Sequence, residues 1–163
     1  MAVADEFSEL FSAEYGRLVR ALGVGFGVGP AEDAVQEAFL QLRRRWSKVQ
    51  TYENKQAWVR RVAYHRLLNL TRDEQRHAEV HPRLVDRSDH RTPHDHRLDV
   101  RSAIASLPPQ MRSVICLHYI ADFSVAETAD ALGIAEGTVK ATLHSAREHL
   151  RHTLGDDYVR LDP

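Results

Sequence analysis

The stretch ADFSVAETADALGIAEGTVKATLHSAREHLR, residues 121–151, predicts two short helices joined by a tight turn. Ser124, with Glu127 three residues later, is a capping box, in which hydroxyl and carboxylate satisfy backbone N–H groups at a helix start. Gly133 predicts the end of this helix, because glycine adopts the left-handed cap conformation at little cost. A second helix, from about Glu136, has an apolar stripe at helical spacing: Val139, Leu143, Ala146 and Leu150.

The second helix also carries short polar groups and cations, which we expect on its outward face. They are Thr138, Lys140, Thr142, His144, Ser145 and Arg147. Such side chains reach phosphates and base edges from the major groove. A short first helix, a glycine turn and a cation-bearing second helix together predict a helix-turn-helix that binds DNA. An ordinary helical hairpin with a solvated polar face is the alternative.

Length and composition limit the class of protein. The chain has 163 residues, 43% of them hydrophobic, which allows one domain or two small ones. Its apolar runs stay well short of the ~18 residues that a membrane span needs, and its acidic start lacks the order of a signal peptide. Cys116, the only cysteine, stands among apolar residues and is predicted to be a buried core thiol. We therefore expect a cytoplasmic protein without membrane insertion.

The formal net charge of −1 is unevenly distributed along the chain. Residues 43–76 contain ten Lys and Arg against three acidic residues, a net charge of +7. Residues 1–42 contain two Arg against seven acidic residues. The basic segment predicts a docking surface for a polyanion, and the acidic flank suits a protein partner. A solvated basic face is the alternative.

The N-terminal half is predicted to contain four helical stretches before a linker, and the sequence pattern delimits three of them. The first ends where GVGFGVGP, residues 23–30, breaks the helical pattern. The second has an apolar stripe through Val35, Phe39 and Leu42. The opposite face of the second helix is polar and consists of Asp33, Gln36, Glu37, Gln41 and Arg44. A polar loop, 48–56, precedes a long basic helix from about Ala57 to Arg76.

Residues 77–98 contain two prolines and lack helical periodicity, so we predict a flexible linker. The pattern resumes near Asp99 and is interrupted at 107–109, where Leu-Pro-Pro stands. The prediction is an all-α fold with two small domains, 1–76 and 99–154, followed by a tail, 155–163. The linker histidines have no tight ligand spacing, so no metal site or cofactor is expected: His77, His81, His90, His94 and His96.

Three segments resemble the extracytoplasmic-function (ECF, group 4) sigma factors of bacterial RNA polymerase. AEDAVQEAFLQLRRRW, 31–46, is similar to the core-binding helix of that family, region 2.2. AWVRRVAYHRLLNLTR, 57–72, is similar to its promoter-melting helix, regions 2.3–2.4. The segment 107–151, from LPPQMRSV to the end of the helix-turn-helix, resembles region 4. The order and separation of these elements make the resemblance specific.

The resemblance implies the partners. Asp33, Gln36, Glu37, Gln41 and Arg44 would meet the coiled coil of the polymerase β′ clamp, and region 4 would meet the β flap. An anti-sigma factor is a candidate further partner. The −10 element would be bound by Tyr52, Asn54, Trp58, Arg60, Arg61 and His65, with Tyr52 and Asn54 lining a pocket for a flipped base. Trp58 is alternatively a core residue.

The resemblance also assigns the −35 element to the recognition helix. The residues implied there are Thr138, Lys140, Thr142, His144, Ser145 and Arg147. Thr142 and Ser145 stand where the family often has arginine, which predicts weaker or differently specified −35 contacts. His65 stands where asparagine is common in the −10 helix.

Two other classes of function remain to be weighed. A free-standing helix-turn-helix transcriptional regulator would bind duplex DNA without polymerase, and its N-terminal domain would take a partner or ligand. An enzyme is not expected, because the sequence contains no nucleophile–base–orienter constellation, no phosphate-binding glycine loop and no metal spacing.

Overall fold

The computed structural model describes residues 2–80 and 96–155, and the helix-turn-helix is formed as predicted. Helix α7 spans Val125–Leu132 and helix α8 spans Glu136–Leu154. The Glu127 N–H donates to Ser124 Oγ over 3.0 Å, and the Ser124 N–H donates to Glu127 Oε2 over 2.8 Å. Gly133 ends α7 with φ 69°, in the left-handed region. The capping box and the glycine stop are therefore confirmed.

Gly133→Ala is expected to lower the free energy of unfolding by about 1–2 kcal/mol, because a Cβ is disfavoured in the left-handed conformation. The matched control is Gly137→Ala within α8, where an added Cβ meets nothing within 4 Å. There alanine should stabilise by about 0.4–1 kcal/mol. Urea unfolding followed by circular dichroism measures both variants. Equal and stabilising effects at the two positions would contradict a role for the left-handed turn.

Residues 2–80 of the N-terminal domain contain four helices. Helix α1 spans Ala2–Phe26, α2 spans Val28–Arg44, α3 spans Trp46–Val49 and α4 spans Lys55–Val80. Helix α2 lies between α1 and α4, since it packs extensively against both. Its buried face is the predicted apolar stripe. The helical character of this half is confirmed.

Two predicted loops in this domain are wrong in their bounds. The glycine-rich stretch 23–30 is helical apart from Gly27, which has φ 94° and separates α1 from α2. The loop predicted for 48–56 is limited to residues 50–54, because Lys48 and Val49 belong to α3 and α4 already begins at Lys55. Local composition misplaced these ends because tertiary packing stabilises helix through unfavourable residues.

The C-terminal domain begins with α5, His96–Ser106, and α6, Pro109–Ile115. A π-helical turn, Cys116–Ile120, follows α6 and leads to α7. The break predicted at 107–109 is confirmed, and Pro109 stands at the first position of α6, where its missing N–H costs nothing. The described residues, 2–80 and 96–155, contain no strand.

The linker prediction is wrong at both of its ends. Helix α4 continues through residues 77–80, and α5 already includes residues 96–98. His77 is held in α4, where its Nδ1 lies 2.9 Å from the Asp73 carbonyl oxygen. The remainder of the predicted linker, 81–95, with His81, His90 and His94, lies outside the described residues, as do 156–163 of the predicted tail.

The two domains pack directly against each other. Helix α4 contacts α7, while α1 contacts α5 and the π-helical turn. The prediction of two domains joined by a flexible linker did not include this packing.

Within the described ranges, none of the helices has the length and apolarity required to cross a bilayer.

Candidate nucleic-acid interface

Helix α2 presents the predicted polar docking face as one continuous surface. Asp33, Gln36 and Arg44 are exposed, and Glu37 and Gln41 are half-buried. Gln41 Nε2 donates to Glu37 Oε1 over 3.4 Å, and an Arg44 guanidinium nitrogen lies 4.0 Å from the same oxygen. The structure therefore brings these five predicted residues together.

An open groove of about 510 Å³ adjoins this docking face between α1 and α2. Leu40 lies at its edge and is 52% exposed, although it occupies a helix with a well-buried apolar stripe. Phe11, at 41% exposure, stacks on Tyr15 with ring centroids 4.7 Å apart. Sequence reasoning missed this groove, although a leucine four residues from both Gln36 and Arg44 was a signal that the face is not wholly polar.

The residues predicted for the −10 element occupy different environments. Tyr52 and Trp58 are half-buried and pack on the core, while Asn54 and His65 are exposed. Asn54 caps α4, since its Oδ1 accepts from the Ala57 N–H over 2.8 Å. The start of the basic helix is therefore fixed by one of the residues proposed to line the base pocket.

Arg60 is buried, with a side chain only 5% exposed. Its Nε and Nη2 donate to the two carboxylate oxygens of Glu14 over 2.8 and 2.6 Å, and its Nη1 donates to Glu127 of α7 over 3.1 Å. Arg61 is exposed, and its Nε and Nη2 donate to the Asp130 carbonyl over 3.1 and 2.9 Å. Arg60 and Arg61, both predicted to contact DNA, therefore hydrogen-bond to groups of the protein itself in this structure.

In the cluster of Arg60, Glu14 and Glu127, neighbouring groups favour the charged forms of Arg60 and Glu127. Burial by itself would lower the pKa of Arg60, but hydrogen bonds and charge from Glu14 and then Glu127 raise it. The pKa of Glu127 is lowered, first by the Ser124 backbone N–H and further by Arg60. Because its folded-state pKa is depressed, this carboxylate stabilises the fold above its ordinary pKa, and that contribution is lost as the pH falls through the lowered value.

The residues predicted for the −35 element are all exposed or half-buried, but they lie on two flanks of α8 and not on one face. Thr138, Thr142 and Ser145 follow i, i+4, i+7 spacing and line an open groove of about 450 Å³ beside Pro108 and Met111. The other three, Lys140, His144 and Arg147, repeat the same spacing two positions later. Two positions correspond to about 200° around the axis, so the sets flank the buried stripe on opposite sides.

Arg147 belongs to the flank of α8 that faces the π-helical turn. It is half-buried, and its Nη1 donates to the Tyr119 hydroxyl over 3.1 Å. Lys140 and His144, on the same flank, are exposed. The exposed lysine is therefore the better placed long cation for phosphate contact.

Cys116 is fully buried, as predicted for a core thiol. Burial raises its pKa to about 12, against opposing effects of Arg112 and the Gly25 backbone. The buried thiol is consequently uncharged and a poor nucleophile. Within the described parts of the chain, His, Cys, Asp and Glu side chains do not assemble in any group of three that would hold a metal ion.

The described residues form an all-helical protein of two packed domains, with an exposed polar face on α2 in one and a helix-turn-helix in the other. Residues 11–77 match Sigma-70 region 2, and residues 97–150 match Sigma-70, region 4. The chain is 36% identical over 138 residues to the ECF RNA polymerase sigma factor SigL of Mycobacterium tuberculosis, covering 76% of this chain and 74% of that relative. The chain belongs to the ECF sigma factor family.

Two further similarities bear on length and fold. SigE of Mycolicibacterium smegmatis, also an ECF RNA polymerase sigma factor, is 33% identical over 135 residues, which are 76% of this chain and 51% of that relative. The chain therefore spans about half the length of that protein. The sigma factor RpoE of Bartonella quintana, crystallised with the anti-sigma factor NepR, has a similar fold. Its TM-score is 0.74 at 22% identity, covering 94% of this chain and 98% of that one.

Proposed function

We propose that this protein binds core RNA polymerase and directs it to promoters with −10 and −35 elements, thereby starting transcription. The observation that carries the proposal is the ordered presence of both sigma regions in one chain, 11–77 before 97–150. Polymerase makes every bond in this reaction, so the role is non-catalytic. Because its partner acts in the cytoplasm, we assign the protein to that compartment and, within holoenzyme, to the nucleoid.

Core binding is assigned to the exposed face of α2 and the adjoining groove. Asp33 and Gln36 lie three residues apart on this face and can meet one partner surface. The groove beside them offers apolar area through Leu40 and Phe11. A polar rim around an apolar centre is the usual anatomy of a protein interface. The expected occupant is the β′ clamp coiled coil, with region 4 docking separately on the β flap.

Recognition of the −10 element is assigned to α4 and the short loop before it. The exposed Arg61 and His65 follow the strand, and Tyr52, Asn54 and Trp58 surround the flipped base. Arg60 is buried against Glu14 of the same domain and holds α4 in place instead. Cations on the backbone and a stacking pocket offset the few kcal/mol that unstacking costs. The half-buried positions of Tyr52 and Trp58 support this, because they place aromatic rings at the surface without releasing them from the core.

Recognition of the −35 element is assigned to α8. Its two polar flanks suit a helix inserted into the major groove, because such a helix has one wall of the groove on each side. The flank with Thr138, Thr142 and Ser145 offers short hydrogen-bonding groups, and the opposite flank offers Lys140 and His144.

An anti-sigma factor is proposed as a further partner, since the similar RpoE structure is a complex with one.

The test of the proposed function is reconstitution with core enzyme. Holoenzyme should produce abortive transcripts from a subset of genomic fragments, and neither core nor this protein alone should do so. A gel shift with and without core separates the proposal from its alternative. A free-standing regulator would shift those fragments without polymerase, and that result would overturn the sigma assignment.

Lys140→Ala is expected to weaken closed-complex formation about fivefold on duplex promoter, because one phosphate contact is lost, and to reduce the salt slope by about 1. The loss should be much smaller on a template with a pre-melted bubble. Abortive transcription on both templates at two salt concentrations measures it. Arg151→Ala is the control, because this cation lies on the same helix and pairs with Glu148 over 2.7 Å. Equal defects on duplex and bubble would contradict −35 anchoring by α8.

A further inference from the structure

The turn from α2 into α3 carries four cations within six residues, all of them exposed: Arg43, Arg44, Arg45 and Lys48. Arg45 stands at the junction itself, where φ −107° and ψ 13° end α2 and redirect the chain into α3. Trp46 and Val49 anchor α3 in the core. Arg45 and Lys48 are therefore left on its outer side.

Two of these four cations are engaged by the docking face and its groove. The Arg43 guanidinium lies 5.2 Å from the centre of the Phe7 ring, which lines the groove between α1 and α2. An Arg44 nitrogen lies 4.0 Å from Glu37 Oε1. Arg43 and Arg44 therefore belong to the surface assigned to polymerase.

Arg45 and Lys48 differ from them, because their charges have no partner among the described residues. Within 2–80 and 96–155, neither side chain takes part in a hydrogen bond, an ion pair or a contact with an aromatic ring. By contrast Lys55, the next lysine along the chain, pairs with Glu6 over 4.0 Å. Two exposed cations that lie three residues apart and lack an ion-pair partner can both contact one polyanion.

Hydrogen bonds tie the loop 50–54 to α3, so these two cations have a fixed relation to the proposed base pocket. The Thr51 hydroxyl donates to the Lys48 carbonyl over 2.7 Å. The Tyr52 N–H donates to the Val49 carbonyl over 2.9 Å. Tyr52, which is assigned to the flipped base, therefore stands about one helical turn beyond Lys48.

The loop itself carries an opposing charge. Glu53 is exposed and adjoins Tyr52, so its carboxylate repels a phosphate beside the flipped base. Exposed arginines of α4, such as Arg61 and Arg66, follow Glu53 in the chain, whereas Arg45 and Lys48 precede it. A single strand that crosses the loop needs cations on both sides of this carboxylate, because a positively charged track is what holds the backbone of single-stranded DNA.

We propose that Arg45 and Lys48 form a second cation site for the unpaired DNA strand, which holds the phosphates next to the flipped base on the side away from α4. The proposal rests on the proposed function, since that function supplies the strand. Contacts to phosphate carry no sequence information. The site therefore stabilises the melted promoter without selecting its sequence.

The test uses holoenzyme with Arg45→Ala and Lys48→Ala combined, on a promoter template with a pre-melted bubble. The template concentration that half-saturates abortive transcription should rise about tenfold at low salt, and the salt slope should fall by about 1.4, because each phosphate contact with a single strand contributes about 0.7. Circular dichroism establishes that helix content is retained.

The matched control is Arg20→Ala combined with Arg101→Ala. It removes the same charge from exposed positions of α1 and α5. Because salt screens charges that lie far from the strand, the half-saturating concentration should change by less than about twofold.

A second readout locates the contact on the strand. Methylphosphonate, which is neutral, replaces one phosphate at a time in the strand that carries the flipped base. With the unmodified protein, replacement beside the flipped base should weaken binding about fivefold. With Arg45→Ala and Lys48→Ala the same replacement should have no further effect, because the cations that met this phosphate are absent. Phosphates held by α4 should remain equally sensitive in both proteins.

Three results would overturn the proposal. Weaker core binding by the double variant, measured by fluorescence anisotropy, would place these cations in the polymerase interface. A defect on duplex promoter with none on the bubble would make them duplex contacts. Equal behaviour of the double variant and its control on the bubble would show that they do not touch the strand. Absence of core-dependent transcripts with the unmodified protein would instead overturn the sigma assignment, and this site with it.

Discussion

Replacing Arg60 with methionine is expected to lower the free energy of unfolding by about 3–5 kcal/mol, because it leaves Glu14 as a buried charge without its main partner. The Glu14 side chain is 3% exposed, and its remaining cation, Arg17, is 3.9 Å away. Urea unfolding monitored by circular dichroism measures the loss. Removal of both charges, in Arg60→Met with Glu14→Leu, should recover much of it, since apolar replacement of a buried pair is often neutral.

Arg66→Met is the matched control for this prediction. Arg66 lies on the same helix and is exposed, so its replacement should change stability by less than about 0.5 kcal/mol. A loss below about 1 kcal/mol in Arg60→Met would show that Glu14 is rehydrated or protonated in the variant, and that the pair does not organise the junction of α1, α4 and α7.

Leu40→Asp is expected to weaken binding to core polymerase about tenfold or more. The substitution places a charge at the apolar groove beside the docking face, where binding would bury it without a partner. Leu40 is 52% exposed in the free chain, so folding should be nearly unaffected. Fluorescence anisotropy with labelled protein and core enzyme measures the affinity. Asp33→Ala with Gln36→Ala should have a smaller effect in the same direction, because it truncates the polar rim.

Val28→Asp is the control for the docking groove. Val28 is another exposed apolar residue of α2, at 58%, but it stands at the first position of the helix, where an acidic residue is favourable. Core affinity should stay at the unmodified level. If Leu40→Asp bound core as tightly as Val28→Asp does, the groove would not be part of the polymerase interface.

The helix-turn-helix could be predicted from sequence because its determinants are local. The Ser124–Glu127 box, the left-handed Gly133 and the apolar stripe of α8 all act within a few residues along the chain. The same holds for the break at Pro108–Pro109. The positions of helix ends near 23–30 and 48–56 were predicted less well, because packing against α2 and α4 outweighs the local cost of glycine and polar residues there.

The candidate site was predicted as a set of residues but not as an arrangement. The polar face of α2 follows from helical periodicity, and its five residues lie together at the surface, while their role in docking stays a prediction. The two flanks of α8 follow from the same periodicity, but which side each faces depends on α6 and the π-helical turn. The groove at Leu40 could not be predicted in this way. Leu40 is an apolar residue on a polar face, and it forms part of a groove only because Phe11 of α1 also lines that groove.

The sequence by itself determined the all-helical class, the helix-turn-helix and the family, since these depend on periodicity, caps and motif order along the chain. Only the tertiary structure determined the ion-pair partners of Arg60 and the close contact that explains Gly25. Arg60 pairs with Glu14, 46 residues away, and with Glu127, 67 residues away, and Gly25 is explained only by Cys116 across the domain contact. Partners so distant in sequence are brought together by packing, and local patterns carry no record of which distant groups will meet.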